Sequence, residues 1–177
     1  MPSRPKPGSQ VPDRDRNAEG RAENARPRDR FGRPLPRDST DELAGKREPS
    51  EAVDSVEEAL KAAVALFDAR RFFEAHEFFE WIWKCGQVAA GDREFWKGVT
   101  QIAVGLTHAQ RGNAKGAVAL LERACRYLAP YPSPYQGIDR DALLAVAQRS
   151  VAMINAAGPS PDLDFSPFPL TTRGTLR

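Results

Sequence analysis

An all-α fold is predicted by three observations. Apolar residues from Val56 to Ile154 recur at three- and four-residue steps, which is the helix period. Capping residues stand at the head of four of the five such stretches, and no stretch alternates as a half-buried strand does. The expected architecture is a compact antiparallel bundle of about five helices built from helical hairpins. At 177 residues and 41% hydrophobic content the chain suits one domain with extended ends, and the division expected is a disordered basic arm over 1–48, a helical domain over 49–157 and an extended tail over 158–177.

The elements follow in chain order. "SVEE", Ser55 to Glu58, reads as a capping box, and Val56, Leu60, Val64 and Phe67 continue at helical spacing, so the first helix runs from about Ser55 to Arg70. The second is "FFEAHEFFEWIWK", Phe72 to Lys84, with Phe72, Ala75, Phe79, Ile82 and Trp83 inward, ending near Cys85 or Gly86. Trp81 and Glu74 fall on its more polar side. Asp92 can cap the third, whose stripe is Phe95, Val99, Ile102, Ala103 and Leu106, until Gly112 breaks it. Asn113 can cap the fourth, with Ala117, Leu120, Leu121, Ala124 and Leu128 inward, and the Pro-rich "APYPSPYQG" stops it. Asp139 caps the fifth, where Leu143, Leu144, Val146, Ala147, Val151 and Ile154 are the apolar positions. A faint echo joins "RRFFEAHEFFEWIWK" to "QRGNAKGAVALLERACRYL": each places a tight helix–helix corner before a small alanine, 42 residues apart, in the style of a tetratricopeptide unit, although the spacing is longer than that repeat's.

Charge is uneven. Residues 1–47 hold 12 of the 26 Lys/Arg and 8 of the 24 Asp/Glu, so the arm is basic and the remainder slightly acidic. Acids interleaved in "RDRNAEGRAENARPRDR" dilute the arm's field, which favours a solvated flexible segment over nucleic-acid attachment and leaves that attachment open. No apolar run reaches membrane-spanning length and the N-terminus lacks an apolar signal core, so a cytoplasmic protein is expected. Cys85 and Cys125 stand far apart without a C-x-x-C, which points to free thiols.

The chemistry concentrates on the second helix. At 100° per residue His76 and Glu80 share a face at the border of the apolar stripe, while Glu77 points about 100° away. A neutral imidazole and a carboxylate at i and i+4 suit zinc or manganese, and a catalytic zinc takes three protein ligands. His108, the other histidine, is the natural third, on a face with Gln101, Val104 and Gly105, where Gly105 permits close helix approach. Gln101 would then lie close to Glu80 or His76 and orient it, with Trp83 packed beside His76. The bland reading of the same residues has His76 bonded to a carboxylate or a backbone carbonyl and Glu80 paired with Lys84. "HEFFE" departs from the protease motif H-E-x-x-H because Glu80 replaces the second histidine, which leaves Glu77 a weak candidate for a catalytic base.

"FFEAHEFFEWIW", followed by "FWKGVTQIAVGLTHAQRGNAKGAVALLERACRYL" and "GID", resembles the bacterial and archaeal family catalogued as domain of unknown function 309, over about residues 56–145. Its hallmark H-x-x-x-E-x-x-W is met by His76, Glu80 and Trp83, and His108 lies in the matched segment. "RDRNAEGRAENARPRDRFGRPLP" is similar to the extension of actinobacterial members. The resemblance implies an all-α fold and a proposed metal site at the motif, without an established activity. Two functions stay open: a metal-binding and hydrolytic helical protein using His76, Glu80 and His108, or a non-enzymatic helical-hairpin interaction module in which that cluster is structural. The second would engage a protein partner or another copy of the chain.

Overall fold

The structure, a computed structural model, describes residues 26–43, 48–163, 165 and 167–171. Helices α1 (Pro49–Ala52), α2 (Val56–Asp68), α3 (Phe72–Lys84), α4 (Arg93–Gln110), α5 (Ala114–Leu128) and α6 (Arg140–Ala157) follow in order, with a 3-10 turn at Ala90–Asp92 leading into α4. The five expected helices are α2 to α6; α1 is a single extra turn opened by Pro49, whose missing N–H costs nothing at a helix start. Single-residue bridges join Arg28 to Pro34, Tyr135 to Ile138 and Ile138 to Leu170, and none extends into a strand among the described residues.

Capping chemistry sets most boundaries. The hydroxyl of Ser55 accepts from Glu58 N–H at 3.2 Å, Asn113 from Gly116 at 2.9 Å and Asp139 from Ala142 at 3.0 Å. The return arm of the capping box lands one residue early, as Glu58 accepts from Asp54 N–H rather than from Ser55. Asp92 does not cap α4 with its side chain. Its carboxylate instead accepts from the Tyr135 hydroxyl at 2.5 Å and the Gln136 amide at 2.9 Å, tying the Pro-rich loop after α5 to the head of α4.

Each helix packs chiefly on its chain neighbours: α2 on α3, α3 on α4, α4 on α5, α5 on α6. Phe67, Phe72, Phe79, Ile82, Phe95, Ile102, Leu106, Leu121 and Leu143 are fully buried in one continuous core. Each such side chain contributes about 1.5–3 kcal/mol relative to an exposed one. Gly98 and Gly105, seven residues apart on α4, let α5 come close; a Cβ there would lie 2.9 Å from Leu128 Cγ and 2.8 Å from Leu121 Cγ. The close approach expected of Gly105 is therefore to α5.

The two corners of the faint sequence echo have the same geometry. Arg70 ends α2 with φ 60° and Gly112 ends α4 with φ 76°, both left-handed. In each, the next amide reaches back five residues, Arg71 N–H to Leu66 and Asn113 N–H to His108, which is the Schellman closure. The Gln110 side-chain amide donates to the Arg70 carbonyl at 2.9 Å and so joins the corners. Glycine adopts this conformation freely; an arginine does so at a cost of about 1 kcal/mol.

Both flanks of the helical domain lie on it. Of the expected disordered arm, residues 1–25 and 44–47 lie outside the described residues. Residues 26–43 form a strap: Asp29 accepts from the amides of Phe31 and Arg33 at 2.9 and 2.8 Å, and Asp41 and Glu42 from those of Arg28 and Arg30. Asp29, one of the acids that dilute the charge in the sequence, and the later Asp41 and Glu42 hold this loop together. At the other end the extended tail buries Leu163, Phe165 and Phe168, and Phe168 packs on Phe67 and Phe79 at 5.1 and 5.4 Å between centroids. No helix among the described residues is long and apolar enough to cross a membrane.

Candidate functional site

Half-buried positions of α3 form a border between core and solvent that includes Phe73, His76, Glu77, Glu80 and Trp83. Two ring contacts fix how this border meets α4. Lys97 stands 5.4 Å from the Trp83 ring and Arg111 5.3 Å from the Phe73 ring, so the helices run antiparallel, with Trp83 near the start of α4 and Phe73 near its end. Gln101, one turn on from Lys97, therefore falls on α4 at about the level of Glu80.

The carboxylate of Glu80 meets Lys84 Nζ at 2.6 Å, one turn along the same helix. His76 Nδ1 donates to the Phe73 carbonyl three residues back, within α3 rather than across an interface. That tautomer leaves the lone pair on Nε2. Trp83 is not the core residue expected of it: it is half-buried at the rim, with Lys84 and Lys97 5.2 and 5.4 Å from its ring. Its indole N–H and the Gln101 side-chain oxygen are buried without a hydrogen-bond partner among the described residues.

His108 serves a different junction. Its Nδ1 accepts from the Asn113 amide at 2.8 Å, while Asn113 caps α5. A Cβ on Gly116 would come within 2.5 Å of that nitrogen, so the imidazole fills the space that glycine leaves at the head of α5. Burial, then the neighbouring Arg111 charge, pulls the His108 pKa below its usual value and favours the neutral ring. Among the described residues no three His, Cys, Asp or Glu side chains gather where they could hold one metal ion. Among the described residues the donor set falls short of the three protein ligands of a catalytic zinc.

A second cluster went unread in the sequence. Glu74, expected on the polar side of α3, is 4% exposed and takes a two-pronged bond from Arg71 at 2.7 and 2.5 Å. That bond raises the Arg71 pKa. Around this corner, Arg111 Nε donates to the Phe31 carbonyl at 2.9 Å and Arg33 to the Gln110 carbonyl at 3.3 Å, while Arg28 and Arg111 both stand over the Phe73 ring. Burial, then the Arg28 charge, lowers the Arg111 pKa. The sequence signal was present in "RR" at 70–71 and "RDRFGR" at 28–33, two arginine groups that only the fold brings together.

Comparison of the sequence with curated proteins finds no match. Residues 60–120, which carry His76, Glu80, Trp83, Gln101 and His108 and span α3 and α4 whole, match the family model described as "Domain of unknown function (DUF309)".

Proposed function

We propose that the chain is a non-enzymatic helical-hairpin interaction module whose His76, Glu80 and Trp83 are structural. The observation that supports it is how the motif is spent: Glu80 on Lys84, His76 Nδ1 on its own helix, Trp83 between two lysines, and His108 on the α5 cap. The same domain grips extended chain at two places, the strap and the tail, which is what a module that captures an extended partner segment must do. The partner segment is extended chain, from another protein or from a second copy of this one.

One observation favours the alternative of a zinc or manganese site. A ligating histidine usually donates its other ring N–H to a carbonyl, as His76 does to Phe73. Thermal unfolding with and without each metal, in wild type and Glu80→Gln, separates the two. The module reading expects no metal-dependent rise in Tm and a loss below about 0.5 kcal/mol in the variant, because the Glu80–Lys84 pair is solvent-exposed. A rise with zinc or manganese that the variant abolishes would overturn it, since only binding to the native state stabilises by mass action.

A further inference from the structure

A cavity of about 400 Å³ opens at the α2–α3 corner, lined by Arg30 and Phe31 of the strap, Arg70 and Arg71 of the corner, Gln110 of α4 and Pro161 of the tail. Three guanidinium groups from segments about forty residues apart converge on it. Their charges are unevenly answered. Arg71 is matched by buried Glu74, and Arg70 reaches Asp162 only at 3.5 Å, where that carboxylate is 88% exposed. Arg30 makes no carboxylate pair among the described residues and lies over the Phe31 ring at 4.6 Å, although Glu42 accepts from its backbone N–H. Arg33 and Arg111 add positive charge behind the wall, offset in part by Asp29. The α3 helix starts here with no side-chain cap, so its dipole adds to the same sign.

Arg70 supplies an independent observation. It occupies the left-handed position at which the equivalent α4–α5 corner has Gly112. Glycine would relieve the strain, yet this corner carries a guanidinium that extends to the Pro161 carbonyl at 3.0 Å. A side chain held against its backbone preference, at the mouth of an arginine-lined cavity, marks a place where the charge matters more than local stability.

We propose that this cavity binds a small phosphate-bearing ligand, with Arg30 and Arg70, neither matched by a buried carboxylate among the described residues, as its main donors and Arg71 lending what Glu74 leaves. Arginine suits this ligand because its planar fork matches phosphate oxygens two at a time. The walls come from strap, corner and tail, so a bound anion ties all three together. The inference stands apart from the module reading, since neither His76 nor Glu80 lines the cavity.

The test uses the full chain, inorganic phosphate and pyrophosphate as probes, and chloride at matched ionic strength as control. Saturable amide shifts at Phe31, Arg70 and Arg71, with slower hydrogen exchange in the strap, are expected in wild type. Arg70→Gly should keep or raise Tm by relieving strain, while weakening pyrophosphate binding about tenfold or more through the lost charge-assisted bonds. Arg30→Gln should weaken it without changing Tm. Shifts that rise linearly with salt, that map elsewhere, or that persist at full strength in Arg70→Gly would overturn the site, and so would the absence of any saturable response to pyrophosphate in wild type.

Discussion

"FGRPLP" at 31–36 and "FSPFPL" at 165–170 have similar compositions, and composition alone treats both as extended chain. The bundle holds them by different physics. The strap puts Gly32 against Phe73, leaves Phe31 half-buried and is fixed by guanidinium bonds to carbonyls and by arginines over aromatic rings. The tail inserts Phe168 into the core at 4% exposure and adds hydrogen bonds, Phe168 N–H to the Asp68 carboxylate at 2.6 Å and Asp139 N–H to the Pro169 carbonyl at 2.8 Å. One flank is a polar clasp and the other is part of the core. A polar clasp can open at a modest cost, whereas a core segment leaves only when the fold is breached.

The largest expected effect tests the tail. Phe168→Ala removes a ring that packs edge-on to Phe67 and stacks on Phe79, and should destabilise the domain by about 3–5 kcal/mol in urea or thermal unfolding. A loss under about 1 kcal/mol would mean that the tail is a second clasp, and the contrast would fail.

The strap should yield at a smaller cost. Gly32 sits at φ 74° with Phe73 pressed against it; a Cβ there would come within 2.4 Å of the ring, so the ring or the strap must move, and the positive φ strains the substitution as well. Gly32→Ala should therefore release residues 28–35, speeding their hydrogen exchange, while the helices keep theirs and global stability falls by about 1–2 kcal/mol. Exchange in the strap as slow as in α4 after this substitution would show that the docking does not depend on Gly32.

The parts legible in the sequence are those with a repeating signal. The five long helices followed from apolar spacing, and three of four caps from residue type, because period and cap are local properties. Asp92 was misassigned because a carboxylate at a helix head can serve a neighbouring loop instead, and Tyr135 competes for it from 43 residues away. Glu74 was misplaced for a similar reason: helical phase put it on the polar side, but an arginine three residues earlier allows a carboxylate to be buried. At the candidate site the identities of His76, Glu80 and Trp83 were readable and their partners were not. Whether His108 reaches α3 or α5 depends on which neighbour the glycines of α4 admit most closely, and that is a property of packing. The strap was hidden because Asp29, read as charge dilution, acts as a hydrogen-bond acceptor only once the loop has closed, as do Asp41 and Glu42.

The smallest effect concerns pH and again separates the flanks. His108 titrates below its ordinary value of 6.5 in the fold because burial and Arg111 disfavour its charged form. Near that value the unfolded chain therefore binds more protons than the native one, so stability is full above about pH 6.5 and declines as pH falls from there toward the lowered folded pKa. A charged His108 would also sit beside Arg111, the residue that holds the Phe31 carbonyl, whereas it is not among the contacts of Phe168. Unfolding free energies measured from about pH 8 to 5 should thus fall less steeply in His108→Asn than in wild type, with strap exchange quickening at the acid end only where the histidine is present. Phe168→Ala, though far less stable, should keep the wild-type slope, because the tail carries no part of this linkage. Parallel slopes for wild type and His108→Asn would mean that His108 titrates alike in folded and unfolded chain, and the strap would then lose its distinctive sensitivity to acid.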